Sequence, residues 1–274
     1  MNAQERWGEQ LAAWAIPDPI LAAAPEPPWG FPTECFRRRG AVRAKIATPT
    51  TRRAREALPN GGVVLDVGVG GGATSLPLAG RAGTIVGVDP QADMLAAFAD
   101  NAVAAGVAVE TVEGRWPEAA DRVPVADVVV AGHVLYNTPD LGPFASAMDA
   151  HARSRVVVEL TRRHPLWWMR DLWRRFHDLD RPSGPSAEDA HAVLRELGYD
   201  VSREERTPSV DEGGSGFADR AAAVAMVRRR LCLPAERDDE IADALGDRLR
   251  RLDDGWDVGP AERTIVTLWW DPRR

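Results

Sequence analysis

The chain has 274 residues and a formal net charge of -7, with 45% hydrophobic and 27% charged residues. This length allows one large domain, or a domain with an appended cap, whose core needs no disulfide or metal. The acidic balance argues mildly against a nucleic-acid partner. No apolar stretch is long enough to span a membrane and the N-terminus has no signal-peptide pattern, so a cytoplasmic protein is expected. The two cysteines lie far apart and are expected to be reduced, buried thiols: Cys35 and Cys232.

Residues 1–57 are predicted to form a helical cap segment. Three apolar residues recur at helical spacing before Pro17 ends the first helix: Trp7, Leu11 and Trp14. The proline-rich stretch over 17–32 is predicted to be an extended loop. A second helix is expected to fill the region from 40 to 58.

From residue 62 onward, predicted strands and helices alternate. Five apolar runs indicate strands: GVVLDV at 62–67, GTIVGVD at 83–89, VAVETVEG at 107–114, VADVVVAG at 125–132 and SRVVVEL at 154–160. Helices are expected at 73–79, at 91–105 and through Leu141, Phe144 and Met148. This alternation predicts a doubly wound α/β fold with a parallel sheet and right-handed crossovers.

The C-terminal third predicts two late strands separated by helices. Ser186 and Asp189 form a capping box for a helix that ends at Gly198, and a strand follows at 199–207. The last strand is expected at 262–270. Two helices are predicted between these strands, one through Phe217, Ala221 and Val224 and the other through Ile241, Leu245 and Leu249. The expected domain therefore spans 58–274, with helical insertions at 161–185 and 210–258 and an antiparallel strand pair at the sheet edge.

The turn after the first predicted strand is rich in glycine. Gly68, Gly70 and Ala73 fit the G-x-G-x-x-A fingerprint of dinucleotide-binding folds, which makes an NAD-dependent oxidoreductase one candidate. The same run also reads as D-x-G-x-G-x-G from Asp66 to Gly72. In this form it resembles the class I S-adenosylmethionine-dependent methyltransferases.

The resemblance covers residues 60–206 and 263–270, and it implies a mostly parallel seven-stranded sheet with an antiparallel C-terminal strand. It also implies S-adenosylmethionine as cofactor. The bare turn would let the amino acid and ribose of the cofactor approach the backbone. Asp66 would accept from the methionyl ammonium, directly or through water, or would fix the turn by bonding its amides. Amides of the helix after Gly72 would favour the methionyl carboxylate. The alternative is a turn that serves tight packing alone.

The second and third strands end in further candidates for cofactor binding. The family places an acid like Asp89 on both ribose hydroxyls, although Asp89 followed by Pro90 is also typical of a helix N-cap. After the third strand the family often has glycine followed by an acid. Here Arg115 follows Gly114, so that hydrogen bond to adenine is in doubt. Trp116 would stack on adenine or, alternatively, lie in the core, and Arg115 would contribute through its backbone.

The exit of the fourth strand lies where ligands bind in open α/β sheets. Gly132 and His133 are candidate cofactor contacts, and Tyr136 would line the substrate site because a sulfonium is attracted to an aromatic face. His133 would orient the acceptor or take its proton. Packing against the cofactor alone is the other interpretation of this histidine.

The densest aromatic stretch of the chain follows the fifth strand, over 161–182. If this stretch is a helix, one apolar stripe faces the sheet, and it consists of Leu166, Met169, Trp173 and Phe176. Trp167 points away from that stripe, so Trp167 and His164 are candidate substrate contacts. Contact of Trp167 with another segment or subunit, and a solvated His164, are the alternatives.

Together these features predict an enzyme that transfers a methyl group from S-adenosylmethionine to a small-molecule acceptor. The sequence identifies no catalytic residue and no acidic cluster that suggests a metal. A homodimer is one expected assembly. An NAD-dependent oxidoreductase and a non-catalytic S-adenosylmethionine-binding module are the alternatives.

Overall fold

The computed structural model describes residues 1–29, 32–209, 212, 215–260 and 262–273. Its strands are β1 (Gly62–Val67), β2 (Ala82–Asp89), β3 (Ala108–Glu113), β4 (Ala126–Gly132), β5 (Ala152–Thr161), β6 (Ser202–Arg206), β7 (Leu249–Leu252), β8 (Gly255–Val258) and β9 (Ile265–Trp270). Seven of them form one sheet in the order β3-β2-β1-β4-β5-β9-β6, and β7 and β8 form a separate hairpin.

Strands β1 to β5 pair in parallel, and β9 pairs antiparallel with both β5 and β6. The predicted fold class is therefore confirmed, including the late antiparallel pair. Strands β1, β4 and β5 are buried over most of their length, which explains their continuous apolar sequences. The chain order reverses between β1 and β4, and ligands of such sheets bind at the carboxyl ends of the strands at this point.

The helices are α1 (Ala3–Ala12), α2 (Asp18–Ala22), α3 (Thr33–Arg43), α4 (Pro49–Ala57), α5 (Ala92–Ala105), α6 (Leu141–His151), α7 (Arg170–His177), α8 (Ala187–Glu196), α9 (Arg220–Arg230) and α10 (Asp238–Leu245). The predicted capping box at Ser186 is present, and Gly106 ends α5 in the left-handed conformation. None of the helices in the described part of the chain combines the length and apolar character that a membrane crossing needs.

The N-terminal segment differs from the prediction in two places. The expected loop over 17–32 contains α2, because Pro19 falls in the first turn of a helix, where proline needs no backbone donor. Gly30 and Phe31 of that stretch lie outside the described residues. The single helix expected over 40–58 is two helices, since Thr48 caps α4 in a reciprocal capping box with Thr51.

The helix expected at 73–79 is also wrong. This fully described stretch contains only a 3-10 turn at Leu76–Leu78. Pro77 removes a backbone donor, and β2 begins at Ala82, so there is no room for an α-helix. The amides that were expected to favour the methionyl carboxylate are therefore not arranged as a helix N-terminus.

The insertion before β9 contains a hairpin that the sequence pattern did not predict. Phe217 precedes α9 and bonds to Trp256 of β8 through both backbone groups, at 3.0 and 2.8 Å. Leu249, expected in a helix, begins β7. Asp254 and Gly255 at the turn are a hairpin signal that could have found it. Residues 210, 211, 213 and 214 of the predicted insertion lie outside the described residues.

A separate apolar cluster is distinct from the two clusters that contain residues of the seven-stranded sheet. It joins the N-terminal segment, α7, α9, α10 and β8, and its largest members are Trp168, Trp173, Met169 and Phe217. Both cysteines are free, buried thiols within it. This cluster is called the cap cluster below.

Candidate functional site

The glycine turn and the exit of β4 meet at the point where the strand order reverses. Gly68, Gly70 and Gly72 have φ values of 71°, 50° and 83°, which side chains rarely adopt. A Cβ at Gly68 would collide with Val134, so part of the turn serves packing. At Gly70 the nearest atom to an added Cβ is a ring carbon of Phe36, at 3.3 Å. Gly70 is therefore the least crowded of these three glycines, and the Phe36 ring lies against it.

Asp66 is a buried carboxyl without a hydrogen-bond partner. Its side chain is 1% exposed, and neither carboxylate oxygen has a hydrogen-bond partner. Burial, with a smaller contribution from Asp89, raises the pKa of Asp66 to about 7, although nearby Ser75 offsets part of the effect. The hydroxyl of Ser75 is also buried without a partner. Two buried polar side chains without partners, Asp66 in β1 and Ser75 before the 3-10 turn, are typical of a site completed by a ligand.

Asp89, at the end of β2, holds the turn through its carboxylate. Oδ2 accepts from the Gly70 amide and Oδ1 from the Gln91 amide, each at 3.0 Å. Burial raises the pKa of Asp89, and these two amides act against that rise. Helix α5 begins at Ala92 with Gln91 at its N-cap, so Pro90 is not its first residue and the expected Asp89 N-cap is wrong in register.

Helix α3 covers the turn, and the sequence pattern did not identify this role. Gly40 lies so close to the Gly71 carbonyl that a side chain would collide with it. Asn101 of α5 donates to the Gly71 carbonyl at 2.9 Å and to the Arg37 carbonyl at 3.1 Å. A glycine inside a helix is a signal for such close backbone approach.

His133 follows β4 in the left-handed conformation, with φ of 60°. Its amide donates to the Glu159 carbonyl at 2.7 Å, and its Nε2 lies 3.2 Å from Glu159 Oε1. This backbone strain in a residue other than glycine is typical of functional sites. The side chain is 33% exposed, so it remains accessible from the crevice.

Glu159 was missed, although a charged residue near the end of a buried strand is itself a signal. It is fully buried and pairs with Arg43 at 2.6 Å, while the Thr50 hydroxyl donates to its other oxygen at 2.6 Å. Burial alone would raise its pKa, but Arg43, His133 and Thr50 together hold the pKa of Glu159 well below its usual range. This network fixes the orientation of His133.

The two candidate adenine contacts, Arg115 and Trp116, differ in their exposure to solvent. Arg115 is exposed after β3. Trp116 is buried, donates from Nε1 to the Phe144 carbonyl at 3.1 Å and meets His151 edge-on. This geometry favours the core interpretation of Trp116 over stacking on adenine.

Tyr136 and His164 line one cavity at the β4 exit. The Tyr136 hydroxyl donates to the Thr161 carbonyl at 2.7 Å, and burial raises its pKa. His164 is buried rather than solvated, stacked on Trp14 with ring centroids 4.0 Å apart. Burial and, to a smaller extent, Arg181 lower the pKa of His164 to about 3.

Trp167 lies in a second cavity, of about 300 Å³, and its ring is covered by the Arg163 guanidinium at 4.5 Å. His164 is the residue that lines both cavities. The structure therefore brings Tyr136 and His164 together but does not bring Trp167 to the same cavity. Among the described residues, no cluster of His, Cys, Asp and Glu side chains is arranged to hold a metal ion.

Residues 64–154 match a family model described as a methyltransferase domain. This match spans the glycine turn, Asp89 and the exit of β4, within the sheet order given above. Residues 64–154 are therefore similar to methyltransferase domains. The cap and the cap cluster lie outside the matched range.

One relative is the ubiquinone biosynthesis O-methyltransferase of Azorhizobium caulinodans. It is 37% identical over 108 residues, which are 39% of this chain and 43% of that protein. The chain spans about half the length of the curated relatives it matches.

Two solved structures share the fold at low sequence identity. A Bacillus halodurans protein described as a methyltransferase aligns with a TM-score of 0.52 and 15% identity, over 83% of this chain and 100% of that one. The YcgJ protein of Bacillus subtilis aligns with a TM-score of 0.50 and 16% identity, over 82% and 98%. Neither likeness bears on the acceptor.

Proposed function

We propose that the protein binds S-adenosylmethionine at the glycine turn and transfers its methyl group to a small-molecule acceptor. The observation that carries this proposal is the Asp66 carboxyl, buried beside the turn with both oxygens unpartnered. A methionyl ammonium would supply the missing donors and the missing positive charge. The residues present therefore fit the cofactor.

The other proposed contacts with the cofactor are assigned from the positions of residues in the turn and at the strand ends. Gly68, Gly70 and Gly72 make room for the amino acid and ribose, and Asp89 is placed to exchange its bond to the Gly70 amide for the ribose hydroxyls. Pro90 follows at the same edge, and Gly132 and His133 border the space from β4. Arg115 remains a candidate through its backbone. Trp116 is left out of this proposal, because its indole nitrogen is already bonded in the core.

When bound, S-adenosylmethionine supplies an electrophilic methyl group on a sulfonium. The residues of this chain hold the acceptor in line and exclude water, which is the proximity contribution. Since His133 Nε2 faces Glu159, its Nδ1 is the nitrogen available to take the proton of an acceptor hydroxyl. Glu159 is a positioning residue in this scheme. The curated relatives are named O-methyltransferases, which favours an oxygen acceptor.

Calorimetric titration of the whole chain with S-adenosylhomocysteine and with NAD⁺ tests the cofactor. We expect the first to bind and the second not to bind, because the stretch after Gly72 lacks the helix N-terminus that a pyrophosphate uses. Binding of NAD⁺ alone would overturn the proposal. Transfer of a labelled methyl group to a panel of hydroxylated aromatic compounds then separates an enzyme from a non-catalytic binding module.

Four finer expectations belong to the same proposal. We place the activity in the cytoplasm, with a homodimer as the assembly and no nucleic-acid partner. Residues 1–57 would act as a cap on the domain 58–274, supported by the cap cluster that joins this segment to the two insertions. Cell fractionation and light scattering test the first two.

A further inference from the structure

A cavity of about 370 Å³ lies between the cap and the exit of β4. Most of its wall is aromatic or aliphatic, and its large side chains are Trp14, Trp29, Tyr136, Met169 and Trp173. The ionisable side chains of the wall include His164 and two arginines, and no aspartate or glutamate is among its residues in the described part of the chain. Acceptor pockets usually combine such an apolar wall with a few polar groups that fix orientation.

Arg181 is the unusual member of this wall. Its side chain is 5% exposed, and the described residues offer it no carboxylate within ion-pair distance. It donates from Nη1 to the Ala15 carbonyl at 2.9 Å and from Nη2 to the Trp14 carbonyl, while Nε is buried without a partner. The guanidinium also lies 5.2 Å from the Trp14 ring centroid and 4.9 Å from that of Trp173.

A buried arginine without a counter-ion is costly to the protein. Burial lowers the pKa of Arg181, yet a guanidinium stays protonated at any physiological pH. Carbonyl oxygens and ring faces stabilise the charge only in part, because neither carries a full negative charge. Among the described residues, none supplies the anion that would complete this arrangement.

The neighbouring polar groups suit an anion as well. Arg230 lines the same cavity, and burial with a contribution from Arg229 lowers its pKa to about 10, so a second cation faces the space. His164 Nδ1 accepts from the Leu166 amide at 3.3 Å, which leaves Nε2 protonated as a neutral donor. No acidic side chain among the described wall residues would repel a carboxylate.

We propose that this cavity binds the methyl acceptor as a carboxylate, with a flat apolar body among the tryptophans and the carboxylate on Arg181. The inference rests on the proposed function, and it adds the chemical class of the substrate. Tyr136 of this wall lies three residues after His133, which borders the proposed cofactor site.

A pair of probes that differ only in charge tests this inference. Naphthalene-2-carboxylate and naphthalene-2-carboxamide have the same body and nearly the same shape. We expect the carboxylate to bind the whole chain about tenfold tighter or more, as hydrogen bonds to a charged group provide. Equal binding, or no binding of the carboxylate, would overturn the proposal.

The variant Arg181→Met sharpens the test. We expect it to lose the preference for the carboxylate while the amide binds within about twofold of the wild type, because only the charged contact is removed. Equal weakening of both probes would contradict the proposal, since it would mean that Arg181 only supports the turn after α1. Arg195→Met, at an exposed arginine of α8 outside the cavity, is the matched control and should retain the preference.

A lysine variant and titrations with the cofactor product complete the test. Arg181→Lys retains the charge and should keep part of the preference, and if neither variant folds, the ratio measured on the wild type decides. Titrations run with and without S-adenosylhomocysteine separate the two proposals. Failure of that cofactor product to bind would count against the proposed function, whereas the preference between the probes depends on the cavity alone.

Discussion

The glycine turn and the cavity of about 370 Å³ beside the cap differ in their side chains and in their charge. The turn offers bare backbone and two buried carboxyls, Asp66 and Asp89, and no basic side chain occurs between residues 66 and 75. The cavity offers aromatic rings and two buried arginines, Arg181 and Arg230, without an acid among its described wall residues. One region is therefore suited to a cofactor that carries positive charge and the other to an acceptor that carries negative charge.

The two regions also differ in how the chain assembles them. The turn comes from a short, contiguous part of the chain and is held by the parallel register of β1, β2 and β4. The cavity collects residues from near 8–29, 136–139, 164–181 and 230. Variants of the first region should therefore change cofactor binding, and variants of the second should leave it unchanged.

The largest effect is expected at Gly70. Valine there would place a branched side chain in the space left for the cofactor, so binding of S-adenosylhomocysteine should be lost in calorimetric titration. Gly61→Val is the matched control, because Gly61 has a similar φ of 73° and no atom within 4 Å of an added Cβ. Both variants should lose about 1–2 kcal/mol of stability from the left-handed backbone. Normal binding by Gly70→Val would contradict the site.

Asp66 should make the stability of the ligand-free protein depend on pH. Its pKa is about 7 in the fold and 3.8 ordinarily, so the unfolded chain ionises first as pH rises. Stability should fall between pH 4 and 7, by about 4 kcal/mol at most. Asp66→Asn should remove this fall in stability in denaturant titrations. The control Asp121→Asn, at an exposed position, should show the same fall as the wild type.

Cofactor binding should respond to the same group in the opposite direction. A methionyl ammonium favours the ionised carboxyl, so affinity for S-adenosylhomocysteine should increase as pH rises through about 7 in the wild type. Asp66→Asn should bind more weakly and lack this increase. An identical pH dependence in both proteins would mean that Asp66 does not face the cofactor.

A smaller loss is expected at Asp89. Asp89→Ala should weaken binding of S-adenosylhomocysteine by roughly 1–3 kcal/mol, the range for hydrogen bonds to a charged group. Asp140→Ala is the control, because Asp140 caps α6 by accepting from the Gly142 amide at 3.1 Å. It should cost about 1 kcal/mol of stability without affecting binding. Unchanged binding in Asp89→Ala would leave this residue a purely structural role.

The smallest effect should come from the cavity side. Tyr136→Phe removes the hydroxyl that donates to the Thr161 carbonyl, so stability should fall by about 1 kcal/mol. Affinity for S-adenosylhomocysteine should stay within about twofold of the wild type, because the substitution leaves the glycine turn unchanged. A large loss of affinity would place Tyr136 against the cofactor and weaken the contrast between the two regions.

The sequence predicted the turn better than the cavity, and the reason is physical. Strand β1 and the glycines after it are specified by local signals, an apolar run and positions that need positive φ. Arg181 carries no such signal, because its burial depends on Trp14, Trp173 and carbonyls far away in the chain. The break between α3 and α4 differs from this case, because Thr48 is a local capping signal that indicates a helix start at Pro49.

The central claim is that the turn from Asp66 to Gly72 receives the cofactor. A crystal structure with S-adenosylhomocysteine tests it most directly. The account predicts the methionyl ammonium within hydrogen-bond distance of Asp66 and the ribose on Asp89, with Phe36 displaced or stacked beside them. Cofactor density away from this turn, with Phe36 still against Gly70 and the Asp66 oxygens still unpartnered, would contradict the account.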